Sequence, residues 1–237
     1  MGRIDVHSHL LPGVDDGCDS LQESIACAKM LVAVGYTHSF CTPHVVPNTP
    51  MQTNDLIQTW VAALQEKFNA AGVPLTLMPG GEINLWPKLI DELGPDRLMS
   101  YRCRGEYCLV DIWTDRLPEF FEPSIKWLQA KGLKVILAHP ERMRAVQLDP
   151  DLVDYFDDLG LLLQGNLQPL SELPGKITRM MAERFLTEGR YFMLGSDLHK
   201  LDTLPARMAG LQFAIDLVGK DEVNKLTVEN PKVLVGA

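Results

Sequence analysis

The sequence predicts an α/β fold, a distorted (β/α)7 TIM-like barrel that occupies residues 1–237 as a single domain. Seven apolar, strand-like runs alternate with amphipathic helical stretches, and histidines or carboxylates come directly after most of these runs. Parallel strands of this kind need cover on both faces, which a barrel with outer helices provides. An open doubly wound sheet is the alternative.

The first units of the chain have clear boundaries. "GRIDVH" is followed by a capping box, Ser20 with Glu23 three residues later, and then by apolar residues at helical spacing. "THSFCTP" is the second strand, and its helix carries apolar residues between positions 56 and 68. Gly72 and Pro74 interrupt the pattern before "LTLMPG" begins the third unit.

Four further strand-like runs follow, namely "YCLVDI", "KVILAH", "LLLQGN" and "YFMLGS". Helical patterns lie between them, around residues 117–130, 150–159 and 171–188. The chain contains no long linker, low-complexity tract or shift in composition. Its 46% hydrophobic content is ample for one buried core, so a single domain is the simplest organisation.

Composition excludes several classes of function. The formal net charge of −9 repels polyanions, so nucleic acid is not an expected partner. No export segment opens the chain, and no apolar run approaches the roughly 20 residues of a membrane-spanning helix. The five cysteines have no paired spacing and are expected to be free thiols. We therefore expect a cytoplasmic protein that does not insert into a membrane.

Histidines and carboxylates cluster after the strand-like runs. In a (β/α) barrel the carboxyl ends of all strands meet at one mouth, so these side chains are expected to converge. Imidazole and carboxylate together suit zinc, manganese or iron, and they outnumber the ligands that one ion can use. The pattern predicts a multinuclear, hydrolase-like metal site, whereas ordinary surface histidines are the alternative. The clustered residues are His7, His9, Asp15, Asp16, His44, Glu82, Asp111, His139, Asp197 and His199.

Several motifs resemble those of one superfamily along essentially the whole chain. They are "DVHSHLLPGVDDG", "TPH", "GGE", "AHPER", "QGN" and "GSDLH". The chain is similar to the polymerase and histidinol phosphatase (PHP) superfamily, and more narrowly to its bacterial protein-tyrosine phosphatases of capsule and exopolysaccharide loci. The most specific parts are the HxH pair followed by "DDG" and the terminal "SDLH".

The resemblance implies a PHP-type barrel that holds two to three manganese or iron ions, with zinc as a further possibility. Its substrate would be a phosphotyrosine protein, in particular a bacterial tyrosine kinase of polysaccharide synthesis. Clustered cations neutralise phosphate oxygens and acidify the attacking water. The implied metal ligands are His7, His9, Asp16, His44, Glu82, Asp111, His139, Asp197 and His199.

Among these residues, His44 and Asp197 are also expected to take part in catalysis, together with Arg142. Three residues beyond His139, Arg142 is the candidate phosphate clamp, because guanidinium offers paired planar donors to two phosphate oxygens. No cysteine has the Cys-x5-Arg spacing of cysteine-based tyrosine phosphatases, so a thiol nucleophile is disfavoured.

The chain departs from the family pattern at two positions. Asp111 stands where glutamate is usual, which puts direct ligation in question. Leu204 stands near the position of an arginine that is thought to bind phosphate, and Arg207 is the candidate substitute in substrate binding. A phosphatase of a small metabolite, such as a sugar or histidinol phosphate, therefore stays open, as does a weakly catalytic metal-binding regulator of polysaccharide assembly. The acidic charge argues against a deoxyribonuclease.

A few residues near the cluster have secondary roles in this interpretation. Asp5 is a candidate for orienting the ring of His7 or His9. Trp86 and Trp113 are candidate walls for an aromatic substrate, because they follow Glu82 and Asp111 closely in the sequence. The oligomeric state does not follow from the sequence.

Overall fold

A computed structural model describes residues 2–47, 52–103, 105–171 and 175–236. Within these residues the strands are short, and every strand pairing is parallel. In chain order the strand segments are β1 (Arg3–Ser8), β2 (Tyr36–Cys41), β3 (His44–Val45), β4 (Thr76–Pro79), β5 (Glu82–Asn84), β6 (Tyr107–Asp111), β7 (Lys134–Ala138), β8 (Leu162–Asn166) and β9 (Met193–Gly195).

The segments form two sheets, in the orders β1-β2-β4 and β3-β5-β6-β7-β8-β9. Two residues separate β2 from β3, and Gly80 and Gly81 separate β4 from β5, so each pair is one strand position with an interruption. Backbone hydrogen bonds continue across both breaks, from Gly80 N to Cys41 O and from Glu82 N to Pro43 O. The nine described segments therefore occupy seven strand positions, which agrees with the predicted number.

The segment after β9 returns to β1. Asp197 N donates to His7 O at 2.8 Å, and His9 N donates to Leu198 O at 2.8 Å. These bonds join the last strand position to the first and bring the amino- and carboxyl-terminal halves of the chain together. The predicted α/β class with parallel strands is confirmed, and the division of the sheet marks its distortion. At Gly81 a β-carbon would lie 2.7 Å from Met99 Cγ, so the interruption requires glycine there.

Helices follow most strand positions. The capping box is present, since the Ser20 hydroxyl accepts from Glu23 N at 3.2 Å while the Glu23 carboxylate accepts from Asp19 N at 2.8 Å. Among described residues no helix combines the length and apolar character needed to cross a bilayer. The α-helices are α1 (Leu21–Ala33), α2 (Asn54–Ala70), α3 (Leu89–Glu92), α4 (Phe121–Ala130), α5 (Arg144–Leu148), α6 (Leu152–Asp158), α7 (Lys176–Thr187), α8 (Leu204–Val218), α9 (Lys220–Asn224) and α10 (Lys232–Val235).

Both faces of the strands are buried. In β7, Val135 and Leu137 belong to a large apolar cluster that includes helix residues, whereas Ile136 and Ala138 belong to a smaller second cluster. Alternate residues of a strand point to opposite faces, so this division shows apolar packing on each side of the sheet. The five cysteines are free thiols, as the sequence analysis expected.

Leu204 begins α8 and lies in the large apolar cluster with 0% of its surface exposed. Leu211 shares the cluster, and Met208 and Ile215 pack against it, so the apolar stripe that the sequence indicated on this helix faces the core. The position is therefore a packing position in this chain and offers no side chain to a phosphate.

Replacing Leu204 with arginine is expected to destabilise the fold without improving catalysis. A buried guanidinium without a partner should lower the free energy of unfolding by about 3 kcal/mol or more. The matched control Leu204→Met keeps the side-chain volume and should cost less than about 1.5 kcal/mol. Chemical denaturation of both variants, with phosphate inhibition measured in parallel, checks this. A stable Leu204→Arg protein with tighter phosphate inhibition would contradict the prediction.

Candidate metal centre

The predicted ligands converge at the carboxyl ends of the strands. His7 lies in β1, Asp111 is the last residue of β6, and His139 directly follows β7. His44 and Glu82 begin β3 and β5, the continuations of interrupted strands, so they too lie at the carboxyl side of their strand positions. The interruptions thus place two polar ligands at the carboxyl ends of their strand positions.

Eight of the nine predicted ligands form groups that could each hold a metal ion. Within each group, one nitrogen or oxygen from every residue lies within 4.8 Å of all the others. His7 and His9 each occur in two groups, so the groups are contiguous and share ligands. The groups found in the described residues are His9, Asp16, His44 and His199; His7, Glu82 and His139; and His7, His9 and Asp197.

The donor spacing fits divalent ions. His7 Nε2 lies 3.3 Å from Glu82 Oε2 and 3.4 Å from Asp197 Oδ1, and it lies 3.3 Å from His9 Nε2. Two ligands that are each about 2.1 Å from one ion are separated by about 3 Å. Glu82 Oε2 is also buried, and it lies 2.8 Å from His44 Nδ1. A carboxylate oxygen among converging imidazole nitrogens is a donor set that suits a bound cation.

The charges of the cluster also favour a bound cation. Burial by itself would raise the pKa values of Glu82 and Asp197, but neighbouring imidazoles, His7 foremost, hold both well below the usual range. Burial would lower the pKa of His139, yet the charge of Asp111 and a hydrogen bond with Glu82 raise it to about 9. Ionised carboxylates thus attract positive charge into a buried site.

The outer ring nitrogens of two histidines are held by hydrogen bonds. His7 Nδ1 lies 2.8 Å from Gln164 Oε1, and His9 Nδ1 lies 2.7 Å from Asp15 Oδ2. Each bond requires a proton on Nδ1 of the neutral ring, which leaves Nε2 free to ligate. The sequence suggested that Asp5 orients the ring of His7 or His9, but Asp5 has no hydrogen bond to either ring. Its carboxylate accepts hydrogen bonds from the Ser196 amide and hydroxyl.

Gln164 was not predicted as part of the site. Gln164 Nε2 donates to Asn166 Oδ1 at 2.9 Å, and Asn166 Nδ2 donates to Asp197 Oδ2 at 2.7 Å. Together with the bond between His7 and Gln164, these two bonds connect His7 to Asp197 through β8. A signal was present in "LLLQGN", because residues 164 and 166 are two apart on a strand and therefore share a face.

Arg207 lies next to Asp197 but contacts its backbone. The residue is 4% exposed, and its guanidinium donates to Ser196 O at 2.8 Å and to Asp197 O at 2.6 Å. Asp197 itself has a positive φ of 49°, an uncommon conformation for a residue with a side chain. The geometry therefore favours a positioning role for Arg207, in place of the direct phosphate contact that the sequence suggested.

Removing the Arg207 side chain is expected to weaken the fold around Asp197. Arg207→Ala removes the guanidinium donors to Ser196 O and Asp197 O and leaves Asp197 O with only His199 Nδ1 nearby, at 2.9 Å. We therefore expect the free energy of unfolding to fall by about 2–4 kcal/mol. Arg207→Lys should recover only part of the lost free energy of unfolding, because an ammonium group lacks the paired planar donors of a guanidinium. Denaturation curves and metal content measure the effect, with Arg184→Ala, at a half-buried arginine of α7 outside the predicted site, as control. Unchanged stability combined with weaker phosphate inhibition would instead indicate direct phosphate binding.

The other predicted residues lie around this cluster at different depths. Asp111 Oδ1 is 3.8 Å from His139 Nδ1, so Asp111 lies beside the groups rather than within one. The Asp16 side chain is 66% exposed and is 3.3 Å from His44 Nε2. His38 lies in the middle of β2 and belongs to none of the groups found in the described residues.

Arg142 is at the entrance of the site. Its Nη1 donates to Asp197 Oδ2 at 2.7 Å while 49% of its side chain stays exposed. A cavity of about 330 Å³ opens here, lined by Arg142, His139 and Trp113 among others. Trp86 is not a wall of this cavity, because it is buried and its indole donates to Glu92 Oε2.

Comparison with known proteins agrees with this arrangement. The profile of the family described as "Capsular polysaccharide synthesis, CpsB/CapC" matches residues 3–236. The chain belongs to the CpsB/CapC family. A CpsB/CapC relative, the tyrosine-protein phosphatase YwqE of Bacillus subtilis, is 26% identical over 98% of this chain and 91% of its own length. The tyrosine-protein phosphatase CpsB of Streptococcus pneumoniae is 24% identical over 98% of both chains.

A solved CpsB/CapC structure has the same fold. It comes from work on YwqE of Bacillus subtilis and CpsB of Streptococcus pneumoniae, described as unique metal-dependent tyrosine phosphatases. The two chains align with a TM-score of 0.88 and 25% identity, covering 98% of this chain and 94% of the other. The family resemblance and the fold class predicted from the sequence are thereby confirmed.

Proposed function

We propose that this CpsB/CapC protein is a metal-dependent phosphatase that hydrolyses phosphotyrosine in proteins. The observation that carries the proposal is a buried set of converging imidazole and carboxylate donors with the exposed Arg142 at its entrance. The names of the relatives YwqE and CpsB support the same activity. Phosphotyrosine also suits the chemistry, since tyrosine, with a pKa of about 10, is a better leaving group than an aliphatic alcohol.

The proposal assigns distinct roles to the residues of the site. His7, His9, Asp16, His44, Glu82, His139, Asp197 and His199 would hold the ions, with Asp111 at the edge of the set. Bound divalent ions would supply positive charge for the phosphate oxygens and lower the pKa of water. Gln164 and Asp15 keep the Nε2 atoms of His7 and His9 available as donors.

Arg142 would bind the phosphate. Its Nη1 is engaged by Asp197, but half of the side chain is exposed, so other guanidinium donors can reach a phosphate oxygen that approaches the cluster. Positioned donors of this kind act most strongly on the charge that develops in the transition state. Asp197 thereby couples the phosphate clamp to the ligand cluster.

The proposal extends to the identity of the metal, the protein substrate and the cellular location. Manganese or iron suits this mixture of nitrogen and oxygen donors, and zinc would suit it as well. The protein would act in the cytoplasm, and its substrate would be a bacterial tyrosine kinase of polysaccharide synthesis, because the family is described by capsular polysaccharide synthesis. The buried Leu204 at a position where an arginine was expected favours, as a second candidate, a weakly catalytic metal-binding regulator.

Substrate turnover separates these candidates. The metal-loaded protein is assayed with a phosphotyrosine peptide, a matched phosphoserine peptide, and a panel of sugar phosphates and histidinol phosphate. We expect the phosphotyrosine peptide to have the highest kcat/KM and chelation to abolish its turnover. Faster turnover of a metabolite would overturn the protein-phosphatase assignment. Metal binding without turnover of any substrate would support the regulator.

A further inference from the structure

The cavity beside the metal centre has features that the hydrolysis of a phosphate does not require. It is lined by Asp111 and His139 of the predicted metal site and also by Trp113 and Arg144. Its volume of about 330 Å³ lies in the range of small-ligand sites, so it can receive one aromatic side chain with a neighbouring group.

Trp113 is a large aromatic residue with 62% of its surface exposed. It follows β6 by two residues, and its ring centroid is 5.2 Å from that of His44 with the ring planes at 83°. This edge contact places the indole beside the ligand cluster and leaves most of the indole uncovered. An exposed indole at this place can pack against an aromatic ring whose phosphate enters the cluster.

Arg144 provides a cation in the same cavity. It begins α5, is exposed, and forms no ion pair with any described residue, in contrast to Arg142, which pairs with Asp197. Asp115 also lines the cavity, but no ion pair links it to Arg144 within the described part of the chain. The donors of Arg144 are therefore available to an external anion. The net charge of −9 would otherwise repel an acidic substrate, so a local cation has a clear use here.

We propose that this cavity is a subsite for acidic phosphotyrosine peptides, in which Trp113 packs against the tyrosine ring and Arg144 binds a carboxylate next to that tyrosine. The inference rests on the proposed function and adds a sequence preference to it. A guanidinium pairs with a carboxylate through two parallel hydrogen bonds, whereas a neutral amide in the same place gains much less. Selectivity for acidic peptides would then come from KM, since the transferred phosphate is assigned to Arg142 and the ions.

A peptide pair tests the charge preference. Two phosphotyrosine peptides, identical except for glutamate or glutamine next to the tyrosine, are assayed with the metal-loaded protein. We expect KM for the glutamate peptide to be about three- to fivefold lower at low salt, as for an exposed ion pair, with similar kcat values. In Arg144→Gln this difference should disappear. In the control Arg184→Gln, at an arginine of α7 that does not line the cavity, the difference should persist.

A second set of variants tests the aromatic contact. Trp113→Ala should raise KM about fivefold for both peptides, and Trp113→Phe should restore most of the affinity, because packing of two aromatic rings is retained. Equal KM values for the two peptides with the unmodified protein, or a preference that survives in Arg144→Gln, would overturn the subsite. Hydrolysis of neither peptide would instead overturn the proposed function, and the subsite with it.

Discussion

The double variant His7→Ala, His9→Ala is expected to lose its metal ions and almost all phosphatase activity. The two histidines together contribute to all three candidate groups, so their removal affects every ion position at once. The unmodified protein should contain two to three equivalents of manganese, iron or zinc per chain. Because ions supply both charge and an acidified water, turnover should fall at least about a thousandfold.

Elemental analysis of protein purified without added metal, together with phosphotyrosine peptide turnover, checks this expectation. His38→Ala is the matched control, since His38 lies in β2 outside the cluster and its loss should leave the metal content unchanged. One equivalent of metal or none in the unmodified protein would contradict the multinuclear interpretation. Retained metal in the double variant would show that neither histidine is a required ligand.

Arg142→Ala is expected to lower turnover by about a hundredfold or more while the metal content and the fold persist. The exposed part of the guanidinium faces the entrance of the site, so its loss removes a positioned donor for the phosphate oxygens. The variant also leaves one donor fewer on Asp197 Oδ2, but Asn166 Nδ2 still donates to that oxygen at 2.7 Å. The metal cluster should therefore stay assembled.

Kinetics, elemental analysis and melting temperature of the same preparation distinguish the two possible effects of this variant. Arg142→Lys keeps the charge without the paired planar donors and should recover only part of the turnover. If kcat and KM were unchanged in Arg142→Ala, Arg142 would be an ordinary surface residue. If metal and turnover fell together, its main role would be to support Asp197 as a ligand.

Much of the site followed from local sequence patterns. Short apolar runs ending in His7, Asp111 or His139 indicated both the strands and the polar residues at their carboxyl ends. In a parallel barrel those ends meet at one mouth, so convergence required only the correct number and order of strand positions. The interruptions before His44 and Glu82 were not anticipated, because Pro43 and Gly81 act through contacts with residues distant in the sequence.

What the sequence by itself determined was the α/β class, the strand positions and the set of residues that converge. These depend on the period of apolar residues and on positions directly after strands, which are local properties. Only the tertiary structure decided the orientation of Arg207 toward backbone carbonyls, the pairing of His7 with Gln164, and the contact of Asp5 with Ser196. Such partners are far apart in the chain, and long side chains take the direction that packing and buried hydrogen bonds allow.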